Sequence, residues 1–367
     1  MSKHALKTPD TQFFAHLSHS KERISQFLTE FLTETANSTQ SVNALSVDLK
    51  DRLLPFALNG KMIRGSLVYH MYTFLQETNI QTPKSDHQKQ LLQAAAAFEL
   101  IQAALLIHDD IMDNDVQRRG KPTIHVQYQQ EFYRGKDTTL LGTSLAICLG
   151  DEALFLAMQL VASLEDPYAA RIMRFMAPEL VKTGLGQAQD VISAASTTAT
   201  KEEILSTYLY KTAGYTFTIP LSVGALLAGK DAVYLEQISS IGTSLGLMFQ
   251  LQDDFLGIFG DPALTGKNIT SDVAENKKTL IRESLFASAN KSELQWLTSL
   301  FGNHAVSEAD VKDIQEFASK KGILSSIEQE LDMYQNQVIE QIPSLGLSDI
   351  GTHFFIDLTS YLRHRTA

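Results

Sequence analysis

A single cysteine, Cys148, excludes an intramolecular disulfide and any zinc site built from several thiolates, and it fits a reducing compartment. Positive charge is in deficit: 31 lysines and arginines stand against 42 acids, a formal net charge of −11. A surface of that sign repels phosphate backbones, so no nucleic-acid partner is expected. Only nine prolines and twenty glycines occur in 367 residues, too few for a collagen-like or proline-rich architecture. Strand signals are nearly lacking, since no run of alternating β-branched residues is bounded by an Asn-Gly or Asp-Gly turn. The start, Met1 to Asp10, is short and polar with no apolar stretch after it, so no secretory or transit signal is expected. The longest apolar stretch, Leu91 to Met112, is interrupted by Gln93, Glu99 and Gln102 and runs into acids, which marks a buried helix and not a transmembrane segment. A cytoplasmic protein is the expectation.

What is present is helix former. Ala, Leu, Gln, Glu and Lys fill most windows, and 44% of residues are apolar against 20% charged, as in a folded globular chain. Helices are predicted over 20–36, 64–77, 88–113, 140–164, 169–194, 202–228, 232–258, 278–301, 308–318 and 325–341. The fold class is therefore all-α. Two of these helices, over 91–107 and 145–160, are apolar nearly all the way round and should be surrounded by other helices. No Gly/Ser- or Pro-rich linker and no fixed repeat divides the chain. One helical domain over 21–367 is expected, preceded by a flexible N-terminal arm over 1–20.

Two acidic clusters carry the chemistry. In Leu105-Leu106-Ile107-His108-Asp109-Asp110-Ile111-Met112-Asp113 the acids fall at i, i+1 and i+4. At about 100° per residue they sit at roughly 0°, 100° and 40°, on one side of a helix. They also end an apolar helix, where the dipole disfavours negative charge, so a cation should stand against them. The segment Phe249-Gln250-Leu251-Gln252-Asp253-Asp254-Phe255-Leu256-Gly257 repeats the design. All-oxygen groups of this kind select hard cations, Mg²⁺ above all, which complete their shell with water and substrate phosphate. An EF-hand is excluded, because the central glycine and terminal glutamate of its loop are missing.

Phosphate donors stand nearby in sequence. Asp115 is followed by Val116-Gln117-Arg118-Arg119-Gly120-Lys121-Pro122, and Asn59-Gly60-Lys61-Met62-Ile63-Arg64-Gly65 places Lys61 and Arg64 one turn apart on a helix start. Each basic pair alone reads as surface decoration; together with the acids they read as a diphosphate site.

From Gly60 to Thr279 the chain resembles the all-trans isoprenyl diphosphate synthases, the polyprenyl synthetase family, in five separated motifs: the Gly-Lys-x-x-Arg start, HDDIMD with RRGKP, Gly186-Gln187…Asp190, Lys211-Thr212 and FQLQDD. The resemblance implies an all-helical fold with a central active-site cavity, a homodimer, and a prenyltransferase joining an allylic diphosphate to isopentenyl diphosphate. It implies Mg²⁺, three ions with substrate bound, held by Asp109, Asp110 and Asp113 and by Asp253. Arg118, Lys211, Lys267 and Lys277 would contact the allylic diphosphate. Lys61, Arg64 and Arg119 would bind isopentenyl diphosphate, with Gln102 where many members carry His. Thr212 would line the reacting carbons beside Lys211, Gln250 would bind substrate from the Phe-Gln that precedes the second acidic motif, and Asp254 belongs to that motif. The metals and cations would neutralise charge on the departing pyrophosphate, and apolar walls would shield the carbocation.

Two departures stand out. Gly257 occupies the place of the third acid of the second motif, and Asp261, about 12 Å further along a continuing helix, is too far to bind the same ion directly. Asn276 stands where many members have Gly before the lysine. Product length in this family follows the bulk upstream of the first motif. Ala104 and Leu105 stand where short-chain enzymes place Phe or Tyr, and Ile101 and Ala97 continue the stripe. The resemblance therefore implies a product beyond fifteen carbons, geranylgeranyl diphosphate (C20), with farnesyl or longer chains as alternatives. A class I terpene cyclase is the nearest rival, and an inactive subunit of a heteromeric synthase the non-enzyme one. The tail, Tyr361-Leu362-Arg363-His364-Arg365, is either an exposed charged end or a cover over the pyrophosphate site.

Overall fold

The computed structural model describes residues 11–77, 85–261 and 269–365. Among them the only strands are a two-residue pair, and the rest of the regular structure is helical. The chain divides into two compact units, Phe14–Met176 with Pro220–Asp231, and Met1–Phe13 with Ala177–Ile219 and Ala232–Ala367. The divisions fall inside or at the start of helices and not at a linker, in keeping with the absence of linker composition.

The first unit holds most of α1 (Thr11–Ser38), a π turn at Leu49–Leu53, α2 (Leu54–Leu58), α3 (Ile63–Glu77), α4 (Ser85–Met112), α5 (Ile124–Phe132), α6 (Thr139–Ala162), the start of α7 (Tyr168–Ala195) and most of α9 (Ile219–Leu227). α4 is its core. Ala94 to Ala97, Phe98, Leu100 and Ala104 are all fully buried, and the helix packs on α3 and, most extensively, on α6. Alanines on the α6 side let the two backbones approach: His108 of α4 lies against Gly150, where even a Cβ would collide with the imidazole, and its ring nitrogen is 3.3 Å from the Ile147 carbonyl.

The second unit is built on α10 (Ala232–Phe259), against which pack a π-helical segment (Tyr208–Thr218), the helix Ile323–Gln341 and the C-terminal helix Asp349–His364. The expected helix over 202–228 is thus three pieces: α8 (Lys201–Thr207), the π segment and α9. Gly246 of α10 lies against Ala213 and Gly186 of α7 lies 2.5 Å, in Cβ terms, from the Lys211 amide, so the widened backbone is gripped by two glycine faces. The expected helix over 278–301 is likewise two, Leu280–Ser288 and Lys291–Leu300. Asn290 starts the second with a capping box, its side chain accepting from the Ser292 and Glu293 amides while Glu293 accepts from its own N–H.

Two further expectations change. Helix α1 begins at Thr11 with Phe13 and Ser20 buried, so residues 11–20 are helix and not a flexible arm; residues 1–10 lie outside the described residues. α4 and α6 are both long and apolar enough to cross a membrane, but only α4 is mostly buried. α6 is not surrounded: Leu140, Ile147, Phe155 and Met158 are 80, 42, 68 and 45% exposed, and at about 100° per residue they form one outward stripe.

α1 and α3 enclose a buried histidine. His70 Nε2 lies 3.1 Å from both the His16 carbonyl and Ser20 Oγ, and the ring stacks on Phe74. Burial first, then the neighbouring His16 and His19, lower its pKa from 6.5 to about 3. The unfolded chain therefore binds the proton more tightly, and stability present above pH 6.5 is lost as pH falls towards 3, at about 1.4 kcal/mol per unit. Urea unfolding of wild type and His70→Leu at pH 8 and pH 5 should show the acid-induced loss smaller by about 2 kcal/mol in the variant.

Candidate active site

In the first unit α4 carries Asp109 and Asp110 in its last turn and Asp113 just beyond its end. The chain leaves through Asn114, at φ 55°, and enters a hairpin in which Gln117 and Arg118 pair with Pro122 and Lys121. Its two turn residues, Arg119 and Gly120, have φ of 53° and 73°, the signature of a type I′ turn. This hairpin is what the RRGKP motif builds, and no strand was expected there. It folds Arg118 back onto the helix end, where Nε donates to Asp110 Oδ1, and Arg119 onto the Asn59 carbonyl. A cavity of about 320 Å³ opens beside it, lined in part by Arg52, Phe56, Asn59, Arg118, Arg119 and Lys121.

Asp110 is 1% exposed, and its Oδ2 is buried without a hydrogen-bond partner. Burial raises its carboxyl to about 6, against the pull of Arg118 and with help from Asp115 and Asp109. An uncompensated carboxylate oxygen beside two more acids is a fit for a hard cation. Among the described residues no three His, Cys, Asp or Glu side chains converge closely enough to hold a metal.

The basic segment is placed differently from expectation. α3 begins at Ile63, after Met62 at φ 50°, so exposed Lys61 precedes the helix and only Arg64 lies on it. Beneath them sits a residue the sequence reading missed. Glu99 of α4 is buried and accepts from the Gly65 amide at 2.7 Å. Burial raises its pKa, opposed by the Gly65 bond and by Arg64, Arg119 and Lys21, so a carboxyl group sits among three cationic side chains. A lone glutamate inside an apolar helix, three residues before Gln102, was the available signal. Gln102 itself leaves Oε1 buried without a hydrogen-bond partner.

Ala97, Ile101 and Ala104 are buried, and Leu105 is half-buried. With His108 the first three share a stripe about 60° wide, and His108 meets α6, so this stripe turns towards α6.

In the second unit the π segment sets the Lys-Thr motif. Lys211 Nζ pairs with Asp190 at 2.5 Å, joining the Gly-Gln…Asp motif of α7 to it. Thr212 Oγ1 donates to Gln250 Oε1 at 2.9 Å, Gln250 Nε2 donates to Asp254 Oδ1 at 3.0 Å, and Tyr208 donates to Asp254 Oδ2 while accepting from the Leu280 amide at 3.0 Å. Asp254 is thus an interior hub. Burial raises it to about 7, against Lys277 and the Tyr208 bond. Tyr208 was not singled out by the sequence reading.

Asp253, the adjacent acid, turns outward to the C-terminus. Arg365 Nη2 donates to Asp253 Oδ1 and to the Phe249 carbonyl, both at 3.1 Å, and its guanidinium lies 4.0 Å over the Phe249 ring. The Arg365 side chain is only 9% exposed, so the tail is no free charged end. Lys277 has its backbone pinned by the Asp272 carbonyl at 3.0 Å and its Nζ 3.8 Å from Asp272 Oδ1. Burial works against its charge, yet Asp272, Asp254, Asp253 and Asp190 together raise its pKa. Asn276 explains its own departure: its φ is 54°, a conformation open to Gly and Asn, and its Oδ1 also accepts from Arg282 Nε at 2.7 Å. Lys267 lies outside the described residues.

Residues 53–318 match the polyprenyl synthetase family. The chain is 33% identical over 277 residues to the short chain isoprenyl diphosphate synthase of Methanocaldococcus jannaschii, covering 74% of this chain and 77% of that one. It is 30% identical over 311 residues to the (2E,6E)-farnesyl diphosphate synthase of Mycobacterium tuberculosis, covering 84% and 80%. A crystal structure of geranylgeranyl pyrophosphate synthase from Corynebacterium glutamicum, complexed with isoprenyl diphosphate and magnesium, superposes with a TM-score of 0.84 at 27% identity, covering 95% of this chain and 98% of that one.

Arg365 is itself a cation paired with Asp253. Replacing it by Gln should tighten Mg²⁺ binding to the substrate-free protein about fivefold, the equivalent of an ion pair of about 1 kcal/mol. Calorimetric titration with Mg²⁺ checks this, and an unchanged affinity would remove Asp253 from the metal ligands.

Proposed function

The chain belongs to the polyprenyl synthetase family and is an isoprenyl diphosphate synthase, and on that premise we propose that it is a cytoplasmic, magnesium-dependent trans-prenyltransferase joining isopentenyl diphosphate to an allylic diphosphate, with geranylgeranyl diphosphate as its main product. The observation that carries the reading is Asp110: a buried carboxylate with one oxygen on Arg118 and the other without a partner, at the end of an apolar helix beside Asp109 and Asp113.

In this reading Asp109, Asp110, Asp113 and Asp253 hold the magnesium, three ions once substrate is bound. Bound there, the metal supplies electrostatic stabilisation to a departing pyrophosphate. The chain's own cations add to it. Arg118, Lys211 and Lys277, with Lys267, bind the allylic diphosphate, while Lys61, Arg64 and Arg119 bind isopentenyl diphosphate beside Glu99. Gln102, whose amide can both donate and accept, orients that second diphosphate. Thr212 and Gln250 present polar groups to the reacting carbons and are themselves fixed through Asp254 and Tyr208. The homoallylic double bond attacks the allylic carbon, the C–O bond to pyrophosphate breaks, and the released pyrophosphate takes the proton lost from the new chain. No protein nucleophile takes part.

The twenty-carbon assignment rests on the small residues ahead of the first acids and on relatives named geranylgeranyl diphosphate synthase, such as that of Sulfolobus acidocaldarius, 31% identical over 231 residues. Incubation with Mg²⁺, farnesyl diphosphate and labelled isopentenyl diphosphate, followed by sizing of the dephosphorylated alcohols, should give C20. Leu105→Phe should shift the product towards C15; the half-buried Leu105 is the position to alter, because Ala104 is fully buried on the stripe that turns towards α6. Fifteen-carbon product from the unaltered chain would overturn the C20 assignment, and no condensation at all would overturn the function.

We further propose a homodimer formed through the α6 stripe. Four large apolar side chains on one exposed line, broken by only Ser144 and Asp151, suit a second copy of the same apolar surface. Sedimentation should give a dimer for the unaltered chain and a monomer for Phe155→Glu; a dimer that survives the change would place the interface elsewhere.

A further inference from the structure

Gly257 stands one helical turn after Asp253, where the second acidic motif has no third carboxylate of its own. The space there is nevertheless taken. A Cβ at Gly257 would fall within bonding range of Asp272 Oδ2 and 2.8 Å from its carboxyl carbon, so the carboxylate of Asp272 lies where a side chain at position 257 would begin. Not even alanine fits without displacing it. Asp272 comes from the short helix Ser271–Ala274, and its side chain is 18% exposed.

A second contact ties the same residue to the site. The Asp272 carbonyl accepts from the Lys277 amide at 3.0 Å and its Oδ1 lies 3.8 Å from Lys277 Nζ, so one residue fixes both ends of the lysine. The turn that allows this passes through Asn276 in the left-handed region, and the Gly302 amide braces it by donating to the Val273 carbonyl at 2.9 Å.

We propose that Asp272 supplies, from outside the helix, the third carboxylate of the second aspartate group, that Gly257 is the residue which admits it, and that Asp272 positions Lys277 for the leaving diphosphate. The missing acid is thus relocated by fifteen residues in sequence, with its carboxylate where a side chain at position 257 would begin. The inference rests on the synthase reading above, and it names a positioning residue whose effect passes through Lys277 and through the waters of a bound cation.

The test uses the full chain in four forms: wild type, Asp272→Asn, Gly257→Asp, and the exchange Gly257→Asp with Asp272→Gly. Mn²⁺ binding in the presence of inorganic pyrophosphate is followed by electron paramagnetic resonance, and the Mg²⁺ dependence of condensation separates KM from kcat. Asp272→Asn, which keeps the side-chain shape, should weaken Mn²⁺ binding roughly tenfold to a hundredfold, as loss of an outer partner of a metal site does. Gly257→Asp alone should also weaken it, because two carboxylates contest one space, and the exchange should recover most of the affinity. Cooperative unfolding of each variant separates these effects from misfolding. Wild-type Mn²⁺ affinity in Asp272→Asn, or an exchange no better than Gly257→Asp alone, overturns the inference while condensation by the wild type leaves the synthase reading intact. Failure of wild-type condensation overturns that reading, whatever Mn²⁺ does.

Discussion

Burial of carboxylates at the ends of apolar helices is the constraint from which the rest follows. Asp110 lies in the last turn of α4 and Asp254 five residues before the end of α10, and neither has the solvent that an aspartate normally uses to stay charged. For Asp254 the sign is clear. Its folded pKa lies near 7 against an ordinary 3.8, so ionising it costs stability as pH rises through that window, about 1.4 kcal/mol per unit. A fold keeps such groups only where something offsets that cost. Lys277 and the Tyr208 hydroxyl offset part of it for Asp254, and Arg118 part of it for Asp110. What remains at Asp110 is one buried oxygen without a hydrogen-bond partner, an unmet demand for positive charge.

The two units answer this demand with different local devices. In the first, a two-residue turn with an arginine in the left-handed region swings Arg118 and Arg119 in opposite directions, one to the acid and one to the Asn59 carbonyl. A left-handed arginine is uncommon and fits a constrained functional turn. In the second, eleven residues of π helix replace the α repeat around Lys211 and Thr212. A π backbone widens the helix and re-aims its side chains, and such segments concentrate at functional sites because packing must hold them. Here the holding faces are glycines, Gly186 and Gly246, which let neighbouring helices press on the widened backbone.

How much of this could be read in advance depended on whether the signal was local. Helix content was legible because propensity and apolar periodicity are local patterns, and the acid pairs stood out for the same reason; the Lys61–Arg64 pair was misplaced, since Met62 at φ 50° delays the helix start. The hairpin at 117–122 was not, since a type I′ turn usually announces itself by Asn-Gly and here uses Arg-Gly. The break at Asn290 was legible in principle, as Asn-x-x-Glu is a capping box, but apolar periodicity on both sides hid it. Glu99 was hidden for the opposite reason: one acid in an apolar helix reads as an interruption until its partners, distant in sequence, are known. The exposed face of α6 could not be told from a buried one, because composition records that a helix is apolar and not what covers it.

Asp272 marks the limit of motif reading more sharply. A motif assigns a role to a position, so glycine at 257 counts as a loss. Packing assigns a role to a volume, and the volume beside Asp253 and Asp254 still contains a third carboxylate, delivered by another segment. The same substitution therefore has opposite meanings at the two levels. Read as a pattern, Gly257 weakens the site; read as space, it is the one residue small enough to let Asp272 in. A chain that had simply lost the third acid would have no reason to keep glycine there, since alanine is the better helix former by about 1 kcal/mol. The side chain that glycine makes room for supplies that reason.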